Sequence, residues 1–330
     1  MGGMVLAGAA LGAPVVAHAL IRRRARAPQA PRWGRSHRFA GRHGTIAFQE
    51  LGEGPPIVLL HAFGPGYDSS QWRAAAEVLA RGHRVLAPDL PGWGRSEPGA
   101  LDAGFYLDAI ADFLHGVVRD RPVVAAAGLS GAYAAAVAAE RPELVRALAL
   151  VAPLGLGTGS HGEPALWPGR AAHDGRPEAG TRSLLVGKLL DLPLVRVSVL
   201  DLVTSHAALA HHLRAEVYAA PERVDAALLD HHYRVSHLPS TRPALAAYLR
   251  GRLRHDPSEA LAELRQPVWI AWGSAALHPP LETADLWLHR LPEARLEVLS
   301  GAGSLPHAEL PALFARTLER FVRELPPLQR

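Results

Sequence analysis

From His37 onward, short β-like runs alternate with helical stretches, and this alternation constrains the fold more than any other feature of the chain. A strand that leads into a helix and then another strand returns parallel to the first, so the pattern predicts a mainly parallel sheet with helices on both faces, an α/β class. Strands are expected over 45–51, 57–61, 84–87, 122–127 and 145–151, with helices over 70–81, 101–118 and 130–140. After Pro153 the strand rhythm stops. A Gly-, Pro- and His-rich loop is expected over 155–180 and several helices over 183–254. The alternation resumes with a strand at 268–272, a helix over 282–290, a strand at 296–299 and a closing helix over 310–325. A helical insertion in a wound sheet covers the carboxyl ends of the strands, where ligands bind, so this one is expected to be a cap. The expected organisation is therefore a core over 37–154, a cap over 155–262 and the rest of the core over 263–330.

The chain's 330 residues are ample for such a core, and their formal charge is +4. Thirty-four of the 35 basic residues are Arg, since Lys188 is the only lysine. A basic excess invites a nucleic-acid reading. Here it is local: the first 49 residues hold eight Arg and no carboxylate, leaving 27 basic against 31 acidic residues in the remainder. Nucleic acid is accordingly not an expected partner. Residues 1–21 are apolar and are followed at once by Arg22-Arg23-Arg24-Ala25-Arg26. About 20 apolar residues suffice to span a bilayer. A cleavable signal peptide carries its charges before the apolar run, whereas these follow it. Residues 1–26 are expected to be a membrane anchor with a basic collar, and 27–36, with Pro28 and Pro31, a stem. By the positive-inside rule the globular part then lies on the cytoplasmic side, with export of a cleaved chain as the alternative. The chain has no Cys, which excludes thiol nucleophiles, Cys-ligated zinc and iron–sulfur clusters.

Three segments carry a family resemblance. Pro56-Ile57-Val58-Leu59-Leu60-His61-Ala62-Phe63-Gly64 resembles the strand and His-Gly-x-Gly oxyanion turn of the α/β-hydrolase superfamily, with Ala62 in place of the usual Gly. Asp89-Leu90-Pro91-Gly92-Trp93-Gly94-Arg95-Ser96 is similar to that family's D-x-x-G-x-G-x-S segment, and Glu140-Arg141-Pro142-Glu143-Leu144-Val145 to the end of the helix after its nucleophile elbow. The resemblance covers residues 45–325 and implies a mostly parallel eight-stranded sheet with a helical cap.

It also implies three catalytic slots: a nucleophile on a strained strand-to-helix turn, a His to take its proton, and an acid to orient the His. Counted back from Arg141-Pro142 without gaps, the elbow falls on Gly128. Leu129-Ser130-Gly131-Ala132-Tyr133 is also similar to the L-S-A-A-Y of a bacterial subgroup in which the preceding Ser is the nucleophile. A competing register, Gly128-Leu129-Ser130-Gly131-Ala132, matches G-x-S-x-G loosely and makes Ser130 the nucleophile. Trp272-Gly273-Ser274-Ala275-Ala276 puts Ala276 in the Asp slot, and Gly301-Ala302-Gly303-Ser304-Leu305-Pro306-His307 puts Ser304 in the His slot. Asp89 and Glu282 are weaker candidates for a relocated acid. An Ala cannot orient an imidazole, and a Ser hydroxyl is too weak a base near neutral pH. Backbone N–H groups expected from Phe63 and Leu129 could still receive a carbonyl oxygen, with His61 a structural residue of that turn.

Two functions remain open at this point. One is a non-catalytic or impaired member of the fold that binds a small apolar or ester-like ligand, or a protein partner. The other is an active serine esterase or lipase-like enzyme using Ser130 and His307. His307 is otherwise expected to start or cap the last helix, and Trp93 and Trp272 to be core. His211-His212 and His231-His232 are read as exposed cap residues rather than a metal site, because adjacent histidines on a helix point about 100° apart. Neither a phosphate loop nor a dinucleotide fingerprint occurs, so no cofactor and no metal are expected.

Overall fold

A computed structural model describes residues 33–118, 120–156 and 190–327. The expected anchor, most of the stem and most of the 155–180 loop lie outside the described residues. Among the described residues, no helix is long and apolar enough to cross a membrane.

Eight strands form one sheet: β1 (Arg35–Gly41), β2 (Gly44–Leu51), β3 (Pro56–Leu60), β4 (Arg84–Pro88), β5 (Val123–Ala127), β6 (Ala147–Val151), β7 (Val268–Gly273) and β8 (Arg295–Leu299). Their order is β1-β2-β4-β3-β5-β6-β7-β8. β1, β2 and β4 pair antiparallel and the rest parallel. This is the α/β-hydrolase fold that the sequence motifs implied. β1 was missed: it begins at Arg35, inside the expected stem, and Trp33 just before it is buried. Most of its residues are exposed, so its sequence lacks the apolar run that marks the inner strands. It forms because a two-residue turn at Arg42-His43 folds it back along all of β2.

The inner strands are buried on both faces, as parallel strands covered by helices must be. Alternate residues feed two separate cores. Val58, Leu60, Leu86, Val124, Leu148, Leu150, Ile270 and Trp272 face one layer, and Ile57, Leu59, Val85, Ala87, Val123, Ala149, Val151 and Trp269 the other. The helix Leu129–Glu140 is buried on every side from Leu129 to Ala138, which explains its lack of a polar face.

The expected cap is made, in its described part, of helices Pro193–Val203, His206–His212, Ala226–Ser236 and Thr241–Leu249, with a π-helical turn at Leu213–Val217. Two buried carboxylates fasten it to the core. Glu309 Oε1 accepts from Gly303 N (2.7 Å) and its Oε2 from Ala219 N (2.8 Å), joining the loop after β8 to the cap. There the backbones meet so closely that a Cβ on Gly303 would stand 2.2 Å from the Val217 carbonyl oxygen. Asp68, in the loop after β3, accepts from His231 Nε2 at 3.1 Å. The neighbouring His232 is also buried and donates from Nδ1 to the Pro65 carbonyl at 2.9 Å. The reading of His231-His232 as exposed is therefore corrected: both rings face the core loop, His231 bonded to a carboxylate and His232 to a carbonyl.

Candidate functional site

The turn between β5 and the helix Leu129–Glu140 is made by Gly128, with φ 57° and ψ −129°, a left-handed conformation that side chains disfavour. Ser130 lies a residue inside the helix. A Cβ on Gly128 would stand 3.3 Å from the Ala62 methyl, so the two departures from the family pattern share one space. The methyl on the oxyanion turn fits because the elbow carries no side chain.

The remaining slots stand nearby on other loops. Ala276 is buried among apolar residues after β7. Ser304 follows β8, its N–H donating to Val217 O at 2.9 Å and its hydroxyl accepting from His278 N at 3.4 Å. The structure does not bring Ser130 and His307 into a bond. Ser130 Oγ donates to the His61 carbonyl at 2.5 Å, at the base of the oxyanion turn. His307 begins the short helix Pro306–Glu309, is fully buried, and stacks on Trp72 with ring centroids 3.8 Å apart. Neither of its ring nitrogens has a hydrogen-bond partner, and burial pushes its pKa down to about 3. A base so placed has no proton to relay.

His61 and Asp89 both serve structure. His61 Nδ1 donates to Ala62 O at 2.8 Å and Nε2 accepts from Leu90 N at 2.9 Å, which fixes a neutral tautomer. Burial lowers its pKa accordingly. Asp89 accepts from Ser69 N (2.9 Å) and Arg95 N (2.8 Å), binding the two loops that flank the site. Burial, together with the nearby Asp68, raises its pKa. Glu282 lies exposed in a short 3-10 turn before the helix Ala284–Arg290.

Phe63 and Leu129 are buried, and neither backbone N–H has an acceptor among the described residues. Two unpaired donors, one on the oxyanion turn and one at the start of a buried helix, favour an oxygen carrying partial negative charge. Aromatic rings surround them. Phe63 stacks on Trp93 (5.1 Å) and meets Tyr106, Tyr133 and the cap residue Tyr248 edge-on. Trp93 and Trp272 are fully buried core residues. Chemically the arrangement can hold a carbonyl or carboxylate beside apolar groups, with no hydroxyl at the elbow to attack it.

Several polar residues near this site escaped sequence reasoning. Tyr67, Glu216 and His278 match no motif. Asp68 and Glu309 are common residue types in loops, and only their buried partners reveal their roles. The histidine doublets carry the one available signal, since adjacent helix residues that point about 100° apart can each reach a separate partner.

The profile of the alpha/beta hydrolase family matches residues 57–317. The chain is 32% identical over 273 residues to a pimeloyl-[acyl-carrier protein] methyl ester esterase of Aromatoleum aromaticum, covering 82% of this chain and 98% of that one. It is 28% identical over 307 residues to an uncharacterized protein of Mycobacterium tuberculosis, covering 86% of this chain and 80% of the relative. Among solved structures, Cfl2 from Burkholderia cenocepacia is similar with a TM-score of 0.69 and 26% identity, over 89% of this chain and 98% of its own.

Proposed function

The chain belongs to the alpha/beta hydrolase family, and on that premise we propose that it binds a small apolar ligand through a carbonyl or carboxylate oxygen without forming an acyl intermediate. Gly128 at the elbow carries this reading. Attack on a carbonyl needs an activated side-chain oxygen within hydrogen-bond reach of a base, and a glycine supplies neither. The free N–H groups of Phe63 and Leu129 still offer the oxygen a seat, and Phe63, Trp93 and Tyr248 offer the apolar part a wall. The Aromatoleum relative is named an esterase. Esterase chemistry of that kind in this chain would require a nucleophile from outside the elbow.

A fluorophosphonate probe tests the proposal directly. Purified protein is expected to remain unlabelled and to hydrolyse p-nitrophenyl butyrate no faster than buffer. Labelling of the wild type that disappears in Ser130→Ala would instead establish a serine hydrolase working through Ser130.

We further propose that residues 1–26 hold the protein on a membrane with its globular part on the cytoplasmic side. The support is the apolar run 1–21 and the Arg cluster immediately after it. After expression in a bacterium, the full chain should stay with the membrane fraction through an alkaline carbonate wash, and a chain starting at residue 33 should not. Recovery of the full chain in the soluble fraction would remove this proposal.

A further inference from the structure

Polar groups of the cap lie over the Ser304 loop. His212, at the end of the helix His206–His212, and Glu216, in the π-helical turn, lie four residues apart, with Nδ1 2.8 Å from Oε2. Both side chains are largely buried, at 15% and 10% exposure. The bond to the carboxylate places a proton on Nδ1 and leaves Nε2 as the proton acceptor, the arrangement in which an acid orients a base. π-Helical turns recur at functional sites because they displace side chains from the α-helical register.

Two further observations place this pair against the Ser304 loop and the loop that follows the oxyanion turn. The π-helical turn rests on the Ser304 loop through the bond from Ser304 N to Val217 O, and His278, bonded to Ser304 Oγ, lies within electrostatic reach of both His212 and Glu216. On the opposite side Tyr67, four residues after Phe63, has its ring 6.4 Å from that of His212. Tyr67 is 6% exposed, and no hydrogen bond to its hydroxyl is found among the described residues. A phenol with no protein partner beside an oriented imidazole offers a second polar group to a ligand.

We propose that His212, oriented by Glu216, is a proton-transfer base for a ketone or ester seated on the Phe63 and Leu129 N–H groups. This rests on the reading that the pocket holds a carbonyl oxygen. A proton on the carbon beside the carbonyl passes to His212 Nε2. The C–H electron pair moves into the carbonyl, and the enolate oxygen is held by the two N–H donors. Return of a solvent-exchanged proton from Nε2 restores the ligand. No nucleophile, metal or cofactor is consumed in either direction.

In D2O, wild-type protein is expected to exchange the methyl hydrogens of acetophenone at least tenfold faster than His212→Gln, read by proton NMR. Equal rates overturn the proposal. A second measurement needs no variant and suits a chain without cysteine. Phenacyl bromide places the same carbonyl beside a carbon that His212 Nε2 can attack; the N–C bond forms, the C–Br bond breaks, bromide leaves, and the resulting imidazolium keeps its Nδ1 proton, hydrogen-bonded to Glu216. Peptide mapping should find His212 alkylated faster than the exposed His289, and acetophenone should slow it. Alkylation of His278 instead, or of His212 no faster than His289, overturns the proposal.

Glu216 acts through His212 and is a positioning residue. Glu216→Gln should slow His212 alkylation and Glu216→Asp should restore it, because a carboxylate on Nδ1 both orients the ring and balances the imidazolium that alkylation forms. The other titratable groups facing the pair are Tyr67, His278 and His211, whose Nε2 is 3.9 Å from Glu216 Oε1. Burial raises the Tyr67 pKa and lowers that of His278, so both stay neutral near pH 7. An unchanged rate in Glu216→Gln excludes the orienting role. Fluorophosphonate labelling would defeat the non-acylating function while leaving the His212 measurements intact, so the two failures are separable.

Discussion

His307→Leu is expected to stabilise the protein, by about 1 kcal/mol at pH 7 and by considerably more in acid. At neutral pH the imidazole is buried against Trp72 with both nitrogens unpartnered, and an unpaired buried polar group costs about 1–3 kcal/mol. Loss of the stacked ring contact offsets part of the gain, by about 0.5–1.5 kcal/mol. The acid term follows from proton linkage. The folded-state pKa is pushed down to about 3, whereas an unfolded imidazole titrates near 6.5, a difference that burial alone produces. Between those values the unfolded chain binds a proton that the folded chain refuses, so stability falls as pH drops below about 6.5. At pH 4.5 the penalty from this one residue is on the order of 3 kcal/mol. Urea unfolding of wild type and variant at pH 7 and 4.5 checks this. An unchanged pH slope in the variant would show that His307 is not the group responsible. His232, lowered to about 4 chiefly by burial, leaves a second and smaller acid-sensitive step in both proteins.

His231→Ala is expected to destabilise the protein by about 3 kcal/mol, since breaking a buried ion pair leaves the remaining charge uncompensated. Burial opposes ionisation of Asp68, but His231 and the bonds from Ser70 N (2.9 Å) and Ser70 Oγ (2.5 Å) overcome it and hold the carboxylate well below its usual range. Burial likewise opposes charge on His231, and Asp68 reverses it, raising the His231 pKa. The raised histidine contributes fully below its unfolded pKa of about 6.5, and its contribution is lost as pH rises through the higher folded value. The depressed carboxylate contributes above about 3.8 and is lost as pH falls through its lower folded value. The stability difference between wild type and His231→Ala should therefore be level from about pH 4 to 6.5 and shrink above that window. A difference under about 1 kcal/mol throughout would mean that the pair does not hold the cap. Because His231 sits on a cap helix and Asp68 on a core loop, limited proteolysis should cut the variant first within the cap.

Most of the fold was legible because parallel strands buried on both faces must be apolar throughout, a pattern visible in runs such as Val145 to Val151. β1 was illegible for the converse reason: an edge strand with exposed faces is held by its pairing with β2, and pairing leaves no mark in composition. The cap could be placed by the interruption of the strand rhythm, although its attachment could not. Glu309 reads as an ordinary helix residue until the backbone N–H groups of Gly303 and Ala219 are found on its two oxygens.

The candidate site divides in the same way. Counting along the motifs of the family resemblance put Gly128, or in a second register Ser130, together with Ala276 and Ser304 in the slots that the resemblance implies. Spacing could not choose between Gly128 and Ser130 as the residue on the turn. The backbone at Gly128, with its positive φ, and the Ser130 hydroxyl bonded to His61 O describe where each one lies. Nor could it pair His212 with Glu216 beside Tyr67, which depends on a π-helical turn lowering one segment of the cap onto the Ser304 loop. The sequence by itself determined the sheet and the helical insertion, since these follow from periodicity and short-range geometry. Which buried charges find partners was decided only by the tertiary structure, because that depends on contacts between segments far apart in the chain, such as Asp68 with His231.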